Sequence, residues 1–164
     1  MMNPDAPKPS LPNGKPGHRA LRKGRISLPD HVYLVTTATA KRQRVFLDFK
    51  AACSACRCFE TNALLGDARM QAWVLMPDHV HWLIRLGAKD ALGDVVARLK
   101  SASSRSVNRI LNRKGPLWAR AYHDHALRSD EGLNTTVKYI IANPVRAGLV
   151  ERVGDYPFWD AVWI

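Results

Sequence analysis

Bulky apolar side chains are almost absent from residues 1 to about 28 and then arrive in blocks whose spacing changes along the chain. Val32-Tyr33-Leu34-Val35-Thr36-Thr37-Ala38-Thr39 is rich in β-branched types and predicts a strand. From about Asp48 to Leu65 the spacing is helical. Two more strands are predicted over 68–76 and 78–86, with Pro77 and Asp78 as a turn or bulge between them. So short a connection makes them antiparallel neighbours. A long helix of about 90–113 follows, in which Leu92, Val95, Val96, Leu99, Val107, Ile110 and Leu111 recur every three or four residues as a core face. A strand over Trp118–Arg128 and a last helix of about 130–143 complete the set. Ser129 with Asp130 and Glu131 makes a good helix start, and Pro144 ends it. The prediction is one α+β domain over residues 29–164, a central antiparallel sheet with helices packed against it.

Charge adds a partner class. The chain has 25 Lys and Arg against 14 Asp and Glu, a net charge of +11, which points to a polyanion: nucleic acid first, an anionic membrane surface second. Residues 1–28 combine Pro4, Pro7, Pro9, Pro12 and Pro16 with Lys8, Lys15, Arg19, Arg22, Lys23 and Arg25, the composition of a disordered basic arm. Such an arm is either an inert extension or a nonspecific grip on phosphates. No run approaches the ~20 apolar residues of a membrane span, and the N-terminus has no apolar segment of signal-peptide type. The expectation is a cytoplasmic protein with no membrane partner. Cys53, Cys56 and Cys58 are odd in number and share one predicted helix, with no second pair to complete a zinc site or a disulfide framework. They read as reduced, packed thiols.

Candidate chemistry starts at His79-Val80-His81. Alternation along a strand sends both imidazoles to one face and Val80 to the other. Taken alone, the dyad fits a two-imidazole metal clamp and ordinary strand histidines equally well. His123-Asp124-His125 alternates in the same way, but with a charged centre, and reads as a DNA-contact or supporting element. On the long helix Arg98, Arg105 and Arg109 share a stripe away from the apolar one, either a solvated face or a phosphate contact. In the last helix Leu133, Val137, Ile140 and Ile141 form the buried stripe. Tyr139 lies roughly 140° from its centre at ~100° per residue, with Asn143 one turn further on and Thr135 one turn before.

The dyad together with Tyr139-Ile140-Ile141-Ala142-Asn143-Pro144-Val145-Arg146-Ala147-Gly148-Leu149-Val150 resembles the HUH single-strand tyrosine transposases, above all their REP-associated branch. The resemblance spans about residues 30–160 and includes Val35-Thr36-Thr37 with Arg42 and Arg44, Trp118-Ala119-Arg120 with Asp124-His125 and Arg128, and Asp155-Tyr156-Pro157. It departs at the proline-rich arm, and at Trp159-Asp160, where relatives often carry a Ser pair.

The resemblance implies a ferredoxin-like or RRM-like HUH domain. It also implies that Tyr139 is the nucleophile and that His79, His81 and Asn143 hold a divalent metal, Mg²⁺ or Mn²⁺. The reaction implied is cleavage and rejoining of single-stranded DNA hairpins of REP type through a 5′-phosphotyrosine. Arg98, Arg105, Arg109, Trp118, Arg120, His125 and Arg146 are the DNA-contact candidates, with Trp82 and Trp118 as stacking surfaces. The alternative expectation is a domesticated nucleic-acid-binding protein that does not cut. A zinc-stabilised RNA-binding domain is a third. Monomer and dimer both stay open.

Overall fold

Local signals set the ends of several helices. In the computed structural model, which describes residues 27–128 and 130–162, with the backbone alone at 130 and 131, the Asp48 side chain accepts a hydrogen bond from Ala51 N at 2.9 Å and opens α1 (Phe49–Phe59). The predicted 48–65 helix is broken here: a turn at Glu60 and Thr61 separates α1 from the short α2 (Asn62–Leu65). Gly66, at φ +65°, closes α2 in a conformation that side chains disfavour. α3 (Leu92–Ile110) follows the predicted 90–113 helix but is shorter at both ends, and Ile110, 45% exposed, is a correction to the predicted core face, which Leu92, Val95, Val96, Leu99 and Val107 form. The basic arm over residues 1–26, and Ser129, lie outside the described residues.

Five strands, β1 (Val32–Ala38), β2 (Arg69–Met76), β3 (His79–Arg85), β4 (His123–Ala126) and β5 (Trp159–Ala161), form one sheet in the order β4-β1-β3-β2-β5. Every pairing is antiparallel. The path β1-α1-β2-β3-α3-β4 with that order is the split βαβ arrangement of ferredoxin-like folds, extended by β5 on the β2 edge. The 118–128 strand is a correction: only 123–126 pairs continuously, and Trp118 reaches the sheet through an isolated bridge to Thr39.

Alternation sorts the sheet into two faces. Tyr33, Val35, Trp73, Leu75, Val80, Trp82 and Ile84 face α1 and α3. There an aromatic chain crosses the core, with ring centroids 5.2 Å apart for Phe59 and Trp82, 6.0 Å for Trp82 and Trp118, and 5.3 Å for Trp118 and Phe46. The opposite face carries Val32, Ala72, Val74, Met76 and Leu83, covered by Leu133, Val137, Ile140 and Ile141 of α4 (Asp130–Ile141). All four residues of that predicted stripe are buried.

Pro144 does not simply end the last helix. α4 stops at Ile141, and Pro144 sits in the first turn of a new helix, α5 (Asn143–Arg146), where a missing N–H costs nothing. Gly148, at φ +69°, closes α5: Leu149 N donates to Pro144 O at 2.9 Å and Gly148 N to Val145 O at 3.0 Å. This is the Schellman pattern, and it gives the Asn-Pro-Val-Arg-Ala-Gly-Leu run a structural meaning.

Candidate active site

The hairpin joining β2 to β3 positions the dyad. Met76 pairs with His79, so Pro77 and Asp78 are the whole turn. Both of their carbonyls are tied down from the far end of β1, Asp78 O by Thr39 N at 2.8 Å and Thr39 Oγ1 at 3.0 Å, Pro77 O by Phe46 N at 3.1 Å. With Val80 buried toward α1 and α3, His79 and His81 project to the α4 side, ring centroids 5.0 Å apart. His79 Nδ1–H donates to the Asp78 carboxylate at 2.7 Å, and Asp78 in turn faces Arg42 at 3.6 Å. His81 Nδ1 shares a 2.8 Å hydrogen bond with Thr36 Oγ1, its cross-strand partner. Each Nδ1 is thus committed and, among the described residues, each Nε2 is left for a ligand, the arrangement by which neighbouring groups orient metal-binding imidazoles.

α4 covers only part of this face. It packs on β2 and β5, while Thr36, His79 and His81 stay half-buried and His123 and His125 are exposed. Register sets His123 opposite Thr36 and His125 opposite Leu34, on the same face as the dyad. The result is a polar strip beside the apolar half of the face. Burial pushes His81 down to about 4, and the charges of His79 and Arg146 add to the effect.

Tyr139 is 58% exposed on α4, facing away from the buried stripe as its position predicts. Arg146 of α5 joins three parts of the site. Its guanidinium lies 3.9 Å from the centroid of the Tyr139 ring, donates to Tyr139 O at 2.9 Å, and donates to Asn143 Oδ1. Its charge is also felt at His81. Among the described residues Asn143 Nδ2 is buried without a partner.

A divalent cation on this face would have the two dyad imidazoles as donors. Among the described residues no three His, Cys, Asp or Glu side chains form a metal-binding group, so any third protein donor beside the dyad would be of another residue type. Asn143 Oδ1 already receives a cation, the Arg146 guanidinium, which shows that this oxygen is presented to positive charge.

The remaining candidates divide. Trp118 is 4% exposed, and its Nε1–H donates to Ser103 Oγ at 2.9 Å; Trp82 is fully buried. Both indoles are core residues here, so the expectation that they stack on bases is corrected. Arg98 is an internal clamp, donating to Leu64 O at 2.8 Å and to Asp90 at 2.7 Å. It therefore separates from exposed Arg105 and Arg109 on the predicted stripe. Arg120 is exposed beside a cavity of about 590 Å³ between α3 and residues 116–122, which Lys100, Trp118 and Tyr122 also line. That cavity lies on the α3 side of the sheet, away from the dyad. The cysteines are free, and burial raises the Cys56 and Cys58 thiols, so both stay protonated. From sequence alone Asp78 is a turn residue and Thr36 part of the β1 motif, and neither is marked as orienting the dyad. Asp78 was signalled by adjacency to the dyad, whereas Thr36 needed the β1–β3 register.

No helix among the described residues is long and apolar enough to cross a membrane. The chain is 29% identical over 89 residues to the REP-associated tyrosine transposase of Escherichia coli K12, covering 54% of this chain and 52% of that protein. It is 33% identical over 94 residues to a Haemophilus influenzae protein provisionally designated a REP-associated tyrosine transposase, covering 51% of this chain and 53% of that one. The chain thus spans about half the length of the curated relatives it matches. Its fold is similar to that of a REP-associated tyrosine transposase solved bound to a REP hairpin, with a TM-score of 0.65 and 22% identity over 82% of this chain and 79% of that one. A Deinococcus radiodurans R1 protein provisionally designated a transposase superposes with a TM-score of 0.52 at 26% identity, over 73% of this chain and 95% of that one. The profile of the transposase IS200-like family matches residues 27–143, from the segment before β1 through the dyad to Tyr139 and Asn143, and this chain belongs to that family.

Proposed function

We propose that this chain is a metal-dependent strand transferase that cleaves and rejoins single-stranded DNA at REP-like hairpins through Tyr139. The observation that carries the reading is the linkage at Arg146, which joins an outward-facing phenol and the Asn143 amide to the electrostatics of the histidine face. Tyr139 Oη attacks the scissile phosphorus, the bond from phosphorus to the 3′-oxygen breaks, and a 5′-phosphotyrosine and a free 3′-hydroxyl result. The phenolic proton leaves to solvent and the departing oxygen takes one up. Since the phosphotyrosine keeps the energy of the diester, a 3′-hydroxyl reverses the step and joins strands without ATP.

His79, His81 and Asn143 would hold Mg²⁺ or Mn²⁺, which when bound polarises the scissile phosphate and offsets its developing charge. Asp78 and Thr36 keep both imidazoles oriented for this. Exposed Arg105, Arg109 and Arg120 on the α3 side of the sheet, and His125 on the dyad face, would offer contacts to the DNA backbone from the two sides of the sheet, and the net charge of +11 adds long-range attraction. The REP-associated relative solved on a REP hairpin supports the substrate class.

The test is a hairpin oligonucleotide incubated with the wild-type chain, with Tyr139→Phe, and with the wild-type chain in EDTA. Covalent adducts are expected only from the wild-type chain with metal, while Tyr139→Phe still binds the oligonucleotide. Adducts undiminished in Tyr139→Phe would refute the assignment. Binding without any adduct under all conditions would establish the non-cleaving alternative.

A further inference from the structure

We infer that Arg146 is an internal cation that competes with the metal for Asn143 and is released when the metal binds; the inference rests on the assignment of Asn143 as a metal ligand. Arg146 donates to Asn143 Oδ1, the atom that assignment requires as a donor. An amide oxygen presents two lone pairs, but a guanidinium and a divalent cation are both positive and repel at that range. The same guanidinium donates to Tyr139 O at 2.9 Å and lies 3.9 Å from the Tyr139 ring centroid, so one side chain holds both the amide and the nucleophile's segment.

The setting makes exchange feasible. Arg146 is exposed, and among the described residues its hydrogen bonds are to Tyr139 and Asn143, so release leaves no buried charge behind. The Schellman closure at Gly148 fixes the backbone of α5, so the change is one of side-chain rotation. Once free, the guanidinium stands beside Tyr139, where a phosphate oxygen on the tyrosine can take both of its forked donors. Arg146 is thus a positioning residue in the metal-free chain and a phosphate contact in the loaded one. That gives the Arg146 expectation from sequence a defined moment in the cycle.

The experiment is Mn²⁺ titration of the full chain without DNA, followed by electron paramagnetic resonance of free Mn²⁺, for wild type, Arg146→Gln, Arg146→Lys and His81→Ala. Loss of the competitor is expected to tighten Mn²⁺ binding by roughly three- to tenfold in Arg146→Gln, on the scale of one charge-assisted hydrogen bond at an exposed site. Arg146→Lys is expected to tighten it as well, because a lysine keeps the charge but lacks the planar fork. In the wild-type chain labelled with ¹⁵N-arginine, the Arg146 Nε signal is expected to move on addition of Mg²⁺. Unchanged affinity in Arg146→Gln, with binding lost in His81→Ala, would overturn the exchange and leave the metal assignment standing. Affinity at the wild-type level in Arg146→Lys but tighter in Arg146→Gln would also overturn it, as a field effect without competition. Mn²⁺ binding indifferent to His81→Ala would remove the metal assignment and the exchange together.

Discussion

Protonation of His81 should destabilise the metal-free chain, and the size of the effect follows from its setting. Burial, reinforced by the charges of His79 and Arg146, holds the folded-state imidazole near 4, against 6.5 for an unperturbed one. Between those values the unfolded chain binds a proton at His81 and the folded chain does not, so stability rises with pH across this window. Above about 6.5 the imidazole is neutral in both states and the penalty vanishes. Each tenfold change in proton affinity is ~1.4 kcal/mol, so the full penalty below pH 4 is about 3 kcal/mol. Some 2 kcal/mol of it should appear by pH 5, on the order given by the same linkage. The assay is urea unfolding in EDTA at pH 7.5, 6.5, 5.5 and 5.0 for wild type and His81→Gln, which keeps a hydrogen-bonding group opposite Thr36. Taking the difference between the two chains removes the titrating groups that do not interact with His81, while the coupling to His79 stays within the measured effect. The stability of wild type relative to the variant should fall by that amount toward acid, and a difference that does not change with pH would refute the reasoning.

The other predictions concern residues that the structure reassigns. Trp118→Ala should cost about 4 kcal/mol in urea unfolding, as for a buried indole that also loses a hydrogen bond to Ser103. Wild-type stability in that variant would return Trp118 to the list of DNA-stacking surfaces. Arg98→Ala should lose about 1 to 2 kcal/mol of stability by leaving Asp90 and the Leu64 carbonyl unpartnered. Arg109→Ala should leave stability within ~0.5 kcal/mol and instead reduce the salt slope of hairpin-DNA binding by about one. Swapped phenotypes for these two would undo the division of the arginine stripe.

Legibility from sequence followed how local each determinant is. β1, β2, β3 and α3 were readable because period-two and period-3.6 patterns are written into contiguous residues. The common face of His79 and His81 came from alternation alone. The outward direction of Tyr139 came from helical phase. The 118–128 pattern overextends β4 because pairing with β1 lasts only from Tyr33 to Thr36, a tertiary limit that the pattern does not contain. Trp118 looked like a surface aromatic for the same reason: the partners that bury it, Phe46, Trp82 and Ser103, are remote in sequence. In sequence Pro144 signals a terminator, although a proline is equally at home in the first turn of a following helix, and only the closure at Gly148 decides between the two. Arg98 and Arg109 are indistinguishable by phase; Asp90 and the end of α2 separate them.

The Pro77-Asp78 turn has an evolutionary consequence. Hairpin tips are usually where families gain and lose residues, because little else depends on them. Here the two-residue tip is bound through both carbonyls to the segment after β1, and its Asp78 side chain orients His79. One inserted residue would slip the register of β3 and turn both imidazoles toward the opposite face. Length variation among homologues should therefore collect in the connections after α1, after α3 and ahead of β5, while this tip keeps its two residues even where sequence identity elsewhere has fallen away.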